Sequence, residues 1–260
     1  MTTLTFAMRD SATMTRRSFR HLLRYPATLV TSVGVPVLLL LLFVGVFGAL
    51  KAGLGVGAHI SYINYVVPGI IVMTAAYGSS GTALAVNRDS TEGIIGRFRT
   101  MAISPASVLT GHVVSALVRT LIGVALVIGV AIGLGFRPTA DAGQWLGAAG
   151  VTALLVLALT WLAVAVGLAA KVAEGTTGFL LLVQLLPFIS SAFVPPAQMS
   201  GSVRWFAAHQ PFTPIIDTLR GLLTGTPDAG TTLAAVAWCV GLALAGYLWA
   251  RVLFRRDLNR

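Results

Sequence analysis

Charged residues are scarce in this 260-residue chain, of which only 10% are Asp, Glu, Lys or Arg. Soluble domains typically contain about a quarter of such residues. No hydrophilic stretch is long enough to fold as a separate water-soluble domain. We therefore predict one membrane-embedded domain that spans residues 1–260.

Groups that carry out catalysis or bind metals are also few. The histidines are scattered without metal-ligand spacing, and Cys239 is the only cysteine, so no intrachain disulfide can form. The only lysines, Lys51 and Lys171, follow Leu50 and Ala170, so the Gly-Lys-Ser/Thr core of a Walker A motif is absent. We predict no catalytic residue, no metal site and no cofactor bound by this chain.

Long apolar stretches take up most of the sequence, in which 56% of residues are hydrophobic. A helix needs about 20 apolar residues to cross the hydrocarbon core, and it satisfies its own backbone polar groups there. The composition therefore predicts an all-α, polytopic membrane protein with six transmembrane helices. The predicted spans are 27–50, 62–86, 108–136, 145–170, 176–194 and 231–253.

The positive charges lie mainly on one side of this arrangement, and the net charge is +10. Only Lys51, Arg137, Arg204 and Arg220 fall on the opposite side, and Arg119 falls within a span. The positive-inside rule then places both termini in the cytoplasm of a cell membrane. We assign the basic charge to topology and lipid contact, not to nucleic acid. The thirteen residues on the basic side are Arg9, Arg16, Arg17, Arg20, Arg24, Arg88, Arg97, Arg99, Lys171, Arg251, Arg255, Arg256 and Arg260.

The segment before the first span predicts an amphipathic helix over 13–25. One arc of this helix is basic and a separate arc is apolar, which is typical of a helix that lies in the membrane interface. Such a helix anchors the chain, and it can also contact a cytoplasmic partner. The basic arc contains Arg16, Arg17, Arg20 and Arg24, and the apolar arc contains Phe19, Leu22 and Leu23.

A second amphipathic helix is predicted over 89–103, between spans two and three. Asp89 resembles an N-cap, Glu92 completes a capping box, and Pro105 follows the end of the helix. The apolar arc contains Ile94, Ile95, Phe98, Met101 and Ala102. This helix either floats on the bilayer or inserts its apolar face into a groove of another protein.

The segment 195–225 is too polar and too rich in proline to span, and too apolar for a free loop. We predict short re-entrant helices at the outer interface, with Trp205 and Phe206 as anchors and with Asp217 paired to Arg220. Within the spans, Arg119 is either functional or structural, since an intramembrane charge is costly unless it is solvated or paired. Gln184 and Pro187 in span five indicate either helix–helix hydrogen bonding, which is favoured, or a kink beside a cavity.

The order and spacing of these features resemble the membrane subunit of ABC transporters of the type 2 permease family, particularly daunorubicin-resistance-like exporters. The resemblance covers nearly the whole chain. Besides the N-terminal helix and Arg119, it rests on residues 65–70 at the start of span two, Asn87–Arg88–Asp89 through Glu92–Gly93 to Pro105, residues 190–195, and residues 210–214 through Arg220.

The resemblance implies a second permease chain, with a homodimer favoured over a heterodimer, and two copies of an ABC ATPase subunit that binds ATP and Mg²⁺. The helix 89–103 would be the coupling helix, with Asp89, Glu92, Gly93, Ile94, Ile95, Phe98 and Met101 as coupling residues. Trp205, Phe206, Asp217 and Arg220 would form an outer gate. Met73, Tyr77, Gln184 and Phe188 would line the substrate path between protomers.

The implied activity is ATP-driven export of a hydrophobic or amphipathic compound, such as an antibiotic or a lipid. A polysaccharide or glycolipid exporter is the nearest alternative. An ATP-independent transporter is disfavoured because the spans contain no buried carboxylates. A further alternative is a membrane scaffold that anchors a partner protein without transporting anything.

Overall fold

A computed structural model describes residues 26–47, 61–91, 105–170 and 173–258. In these ranges the regular structure is entirely helical, as predicted. The α-helices are α1 (Pro26–Leu42), α2 (Tyr62–Thr91), α3 (Pro105–Gly133), α4 (Ala142–Ala169), α5 (Ala173–Leu185), α6 (Gly201–His209), α7 (Phe212–Leu223) and α8 (Ala229–Leu258). A π-helical turn (Phe43–Phe47) and two 3-10 turns (Leu186–Ile189 and Pro196–Gln198) complete the elements of the described residues.

Four of these helices, α2, α3, α4 and α8, are long and apolar enough to cross a membrane. They correspond to the second, third, fourth and sixth predicted spans, so the chain is a multi-pass membrane protein. In the described residues, shorter apolar helical stretches run from α1 into the π-helical turn (Val33–Val46) and from α5 into the 3-10 turn (Gly175–Ile189). The count of six spans therefore stays a prediction. The predicted interfacial helix 13–25 lies outside the described residues.

Helix α2 is the centre of the fold, and α1, α3, α4, α5 and α7 all pack against it. In its most apolar stretch 72% of the residues are buried, against 22% in α8, which lies at the periphery beside α4 and α7. We call the end that contains residues 61–65, 134–144 and 190–231 the upper end. The lower end contains residues 87–91, 110–113, 164–170 and 173–175.

Helix α2 extends further than the sequence pattern indicated. The prediction that span two ends at residue 86 and that Asp89 is the N-cap of a separate helix is wrong, because α2 continues to Thr91. No proline or glycine interrupts the helix there, and the Thr91 hydroxyl donates to the carbonyls of Asn87 (2.9 Å) and Arg88 (3.1 Å). Residues 92–104, which contain most of the predicted coupling helix, lie outside the described residues.

Helix α5 ends earlier than predicted. Span five was expected to reach residue 194, but the α-helix stops at Leu185 and one 3-10 turn follows it. Pro187 has no N–H to donate, and its ring conflicts with the preceding helical turn. The chain then runs without regular structure through Ser190–Pro195 and leads to the short helices α6 and α7.

Two helices at the upper end begin with side-chain caps. Asp141 and Gln144 form a capping box at the start of α4, with bonds of 2.7 and 2.9 Å between side chain and backbone. Before α8, the carboxylate of Asp228 accepts from the Thr231 hydroxyl at 2.6 Å and from the Thr231 backbone N–H at 2.7 Å. These hydrogen bonds hold the pKa of Asp228 below its usual value.

The backbone of α4 approaches the backbones of α2 and α8 closely. A Cβ atom on Gly167 of α4 would lie 2.5 Å from the Ala83 carbonyl oxygen of α2, and one on Gly246 of α8 would lie 2.7 Å from the Leu162 backbone nitrogen of α4. Only glycine permits these distances. Small residues at helix crossings increase van der Waals contact, which is a main source of association in a membrane.

We expect Gly167→Ala to destabilise the fold by about 1–3 kcal/mol, the typical effect of overpacking a close contact. The measurement is the unfolding midpoint of the purified protein in a mild detergent titrated with a denaturing one. Gly150→Ala in the same helix is the matched control, because a Cβ there would meet no atom within 4 Å. Equal midpoints for the two variants would contradict the close approach of α2 and α4.

Candidate functional site

The upper end contains a polar cluster, formed by Tyr65, Ser191, Asp217 and Arg220, which we call the upper cluster. The Arg220 guanidinium pairs with the Asp217 carboxylate, as the spacing of the two residues predicted. It also donates to the carbonyl of Ser191 at 2.7 Å and to the carbonyl of Tyr65 at 3.2 Å. One guanidinium therefore joins α7, the start of α2 and the segment that follows α5.

The other contacts of the upper cluster hold this arginine in place. The guanidinium carbon lies 3.9 Å from the centroid of the Tyr65 ring, a cation–π geometry, and the Arg220 side chain is only 15% exposed. The Ser191 hydroxyl donates to Asp217 at 2.7 Å, so the carboxylate binds two partners. A planar guanidinium suits this set of acceptors because its donors point in fixed directions.

The helix ends after α5, and the irregular segment that follows is held by hydrogen bonds. Some lie within the segment, and others join it to residues just before and at the start of α7. The Gln210 amide donates to the carbonyls of Leu186 (3.3 Å) and Ile189, and the Ser190 hydroxyl donates to the carbonyl of Pro187. The backbone N–H of Ser191 donates to the Thr213 hydroxyl at 3.4 Å. Carbonyls that the broken helix leaves free are thus satisfied by protein groups, as an apolar environment requires.

Stacked aromatic rings connect the same break to the π-helical turn that follows α1. Phe193 lies after the break, with its centroid 3.9 Å from that of Phe43 and 5.4 Å from that of Phe188. Phe193 and Ala192 are buried, and a Cβ on Gly69 of α2 would lie 2.6 Å from the Ala192 Cβ. The segment Ser190–Val194 is therefore enclosed by this π-helical turn, α2 and α7.

The lower end has a different set of polar contacts, which we call the lower clasp: Asn87, Asp89 and His112. The Asn87 amide donates to the carbonyls of Gly167 (3.2 Å) and Ala170 (2.6 Å), which lie at the C-terminus of α4. The Asp89 carboxylate lies 3.0 Å from the His112 Nε2 of α3. A single turn of α2 thus holds both α3 and α4, at the point in the chain where the predicted coupling segment begins.

Two further polar side chains connect helices within the spans. Arg119 donates to the Gly78 carbonyl at 3.1 Å and lies 3.5 Å from the Thr82 hydroxyl, both on α2. In the part of the chain that the structure describes, no carboxylate lies within ion-pair distance of Arg119. The Gln184 amide donates to the Ser80 hydroxyl at 2.7 Å, which confirms the predicted helix–helix hydrogen bond.

The predicted path residues lie in different surroundings within the single chain. Met73 is fully buried inside the bundle, Phe188 belongs to the aromatic stack, and Gln184 is engaged by Ser80. Tyr77 is partly buried. Because the path was predicted between two protomers, these assignments stay predictions.

The predicted gate residues separate into two groups. Asp217 and Arg220 are brought together in the upper cluster, whereas Trp205 (65% exposed) and Phe206 (40% exposed) lie on the surface of α6. Trp205 stacks on His209 with centroids 4.7 Å apart. Sequence analysis assigned no contacts to Tyr65, Ser191, Gln210, Asn87 and His112, although all but His112 lie in the segments that carry the resemblance. Their partners lie far away in the chain and leave no local pattern.

Arg220→Leu should destabilise the protein by about 3 kcal/mol, because it leaves Asp217 without its cation and removes donors from two carbonyls. Arg220→Lys should recover only part of this loss, since an ammonium cannot reproduce the planar fork. Denaturant titration in detergent measures both. Arg204→Leu, at an exposed position on α6, is the control. If the unfolding midpoint of Arg220→Leu equalled that of the control, the upper cluster would not stabilise the fold.

Comparison with known proteins supports a single family. The ABC-2 type transporter family matches residues 10–224. The daunorubicin resistance ABC transporter permease protein DrrB1 of Streptomyces coeruleorubidus is 28% identical over 243 residues, which are 90% of this chain and 80% of that protein.

A second relative is named as a probable doxorubicin resistance ABC transporter permease protein, DrrC, of Mycobacterium tuberculosis. It is 26% identical over 238 residues, which are 91% of this chain and 86% of that protein. The family match covers most of the chain and includes both the upper cluster and the lower clasp. The chain therefore belongs to the ABC-2 type transporter family, and its relatives are named as daunorubicin and doxorubicin resistance permeases.

Proposed function

We propose that this protein is the transmembrane subunit of an ATP-driven exporter that moves a hydrophobic or amphipathic compound, such as an antibiotic, out of the cell. One observation carries the proposal: similarity to resistance permeases extends over nine-tenths of the chain. Multiple membrane spans and the absence of a Walker A motif from the sequence agree with it. A separate ABC ATPase, expected in two copies, would bind ATP and Mg²⁺.

The lower end would face the cytoplasm and contact this ATPase. The uneven distribution of Lys and Arg supports this orientation, since the basic side contains both termini and the segment after α2. The helix predicted over 89–103 would insert Ile94, Ile95, Phe98 and Met101 into a groove of the ATPase. The lower clasp would hold the base of this segment in register with α3 and α4.

A second copy of the chain would complete the transport path. Both α1 and α5 pack against α2 and carry exposed leucines on their remaining surfaces, among them Leu38 (66% exposed) on α1 and Leu182 (60% exposed) on α5. A homodimer that uses this side would enclose a path along α1, α2 and α5. Rearrangement of the upper cluster and the aromatic stack would then open the outer exit.

The test of the proposed function is purification of the tagged protein from native membranes, followed by reconstitution. We expect a P-loop ATPase to co-purify in stoichiometric amount, and ATP to drive export of an anthracycline from the cytoplasmic side. Reproducible absence of an ATPase from folded protein would refute the proposal. ATP-driven movement of a glycolipid but not of an anthracycline would replace the drug with the alternative cargo.

Phe98→Asp should abolish ATP-driven export while the protein still reaches the membrane, because a carboxylate cannot enter an apolar groove without a large desolvation cost. ATPase co-purification and export are measured together. Thr100→Asp is the matched control, since it adds the same charge about 200° around the same predicted helix. Unchanged export by Phe98→Asp would place the coupling contact elsewhere.

Arg119→Leu distinguishes a transport role of this residue from a structural one. If Arg119 acts in transport, the variant should lower export at normal membrane abundance and with a normal unfolding midpoint. The physical reason is that the contact of α3 with the Gly78 carbonyl would be lost where α2 moves. Arg251→Leu, at an exposed position on α8, controls for removal of a cation. Normal export by Arg119→Leu would assign the residue to helix packing.

A further inference from the structure

An apolar cavity of about 500 Å³ lies between α3 and α4 in the upper half of the bundle. Its side walls come from α3 and α4, Ile71 of α2 lies at its inner side, and Leu219 and Leu223 of α7 close it at the top. It contains none of the residues of the upper cluster, the lower clasp or the predicted path. A volume of this size falls within the range of about 300–1,000 Å³ that is typical of ligand pockets.

The cavity exists because small residues face each other across the two walls. Ala125 of α3 and Gly150 of α4 both line it and both are exposed, so the cavity opens on the outer surface of the bundle. A Cβ on Gly150 would meet no atom within 4 Å.

The lining is almost entirely hydrocarbon, which restricts the chemistry of an occupant. Apolar cavities of this kind stay dry and accept apolar molecules, because water would find no hydrogen-bond partners. The surface beside the opening is apolar as well: Leu126 is 50% exposed, Val130 38% and Leu146 75%. In a membrane these side chains contact lipid tails, so hydrocarbon chains are the molecules present at the opening.

The shape of the site favours a slender occupant over another protein. Helices α3 and α4 pack against each other, so a helix of a second copy, about 10–12 Å in diameter, cannot pass between them. A single flexible hydrocarbon chain can enter, and it gains dispersion contacts that the empty walls lack.

We propose that the crevice between α3 and α4 binds one hydrocarbon chain of a membrane phospholipid. The bound chain contacts Leu219 and Leu223, which lie about 160° and 120° around α7 from Asp217 and closer to Arg220, at about 100° and 60°. It therefore supports α7 beside the upper cluster, on the side away from Asp217. The proposal does not depend on the cargo or on the ATPase, and its test needs neither.

The first measurement is native mass spectrometry of the full chain, purified in mild detergent with phospholipid added back. Gly150→Leu fills the cavity, and Gly241→Leu on α8 is the matched control, because it is also exposed and its Cβ would also meet no atom within 4 Å. We expect Gly150→Leu to retain one phospholipid fewer per chain than the wild type and Gly241→Leu. Equal retention by all three proteins would overturn the proposal.

The second measurement does not rely on a cavity-filling variant. Trp145 lines the cavity, so a variant with Trp145 as its only tryptophan reports occupancy by fluorescence quenching in vesicles of brominated phospholipid. We expect quenching to saturate at a low fraction of brominated lipid. A variant with only Trp249, which is 43% exposed on α8, should be quenched in proportion to that fraction. Identical curves for the two variants would show bulk lipid contact only and would refute the site.

The same preparations would also reveal an occupant other than phospholipid. Retention of an added anthracycline in place of phospholipid would make the crevice a drug site and overturn the lipid assignment. A disulfide between two copies through Leu126→Cys, in a Cys239→Ser background, that also abolishes Trp145 quenching would make it a contact between protomers. Absence of that cross-link is expected if lipid occupies the crevice.

Discussion

A helix that breaks among apolar neighbours needs protein donors for the carbonyls it releases, and the upper end is built around this requirement. Pro187 ends α5, and the segment that follows is enclosed by the π-helical turn after α1, by α2 and by α7. In water the free carbonyls would be hydrated, whereas between apolar helices each unsatisfied one costs several kcal/mol. Gln210 and Arg220 supply the donors. Displacement of α7 would therefore expose carbonyls of the broken segment unless other donors replaced them.

The two ends of the bundle use polar groups of different strength. At the upper end a permanently charged guanidinium binds a carboxylate and two carbonyls at once. At the lower end a neutral amide caps α4, and a histidine binds a carboxylate. Charge-assisted hydrogen bonds are roughly twice as strong as neutral ones. The bonds of the neutral Asn87 amide to α4 are thus the easiest of these contacts to rearrange, which suits the end that is proposed to receive motion from an ATPase.

The sequence predicted the features that depend on local pattern. Apolar runs long enough to cross a bilayer identified the four long spans, and the spacing of Asp217 and Arg220 on one helix predicted their ion pair. Two helix ends were predicted wrongly where the sequence contains conflicting features. At the end of α2, Asp89 resembles an N-cap, but the uninterrupted helix before it continues to Thr91. Pro187 was visible in the sequence, yet a continuous apolar run through residue 194 outweighed it.

Contacts between distant segments could not be predicted from one sequence. Arg220 lies 155 residues from Tyr65, and Asn87 lies 83 residues from Ala170, so no periodicity connects them. Their partners are backbone carbonyls, which every residue possesses, and a carbonyl acceptor carries no signature in the sequence. The cavity between α3 and α4 could not be predicted from the sequence for a similar reason. Alanine and glycine in a span usually indicate close helix packing, and only the structure shows that here they face a hollow.

Helix α2 connects the two ends and explains how a change at one can reach the other. Tyr65 and Asp89 are separated by about 36 Å along a continuous helix. The upper cluster holds the carbonyl of Tyr65, and the clasp holds the side chain of Asp89. Packed helices move as rigid bodies between discrete arrangements and do not deform gradually. A tilt of α2 imposed at the lower clasp must therefore either break the hydrogen bonds of Arg220 or carry α7 with it, and both outcomes change the enclosure of Phe193 at the proposed exit.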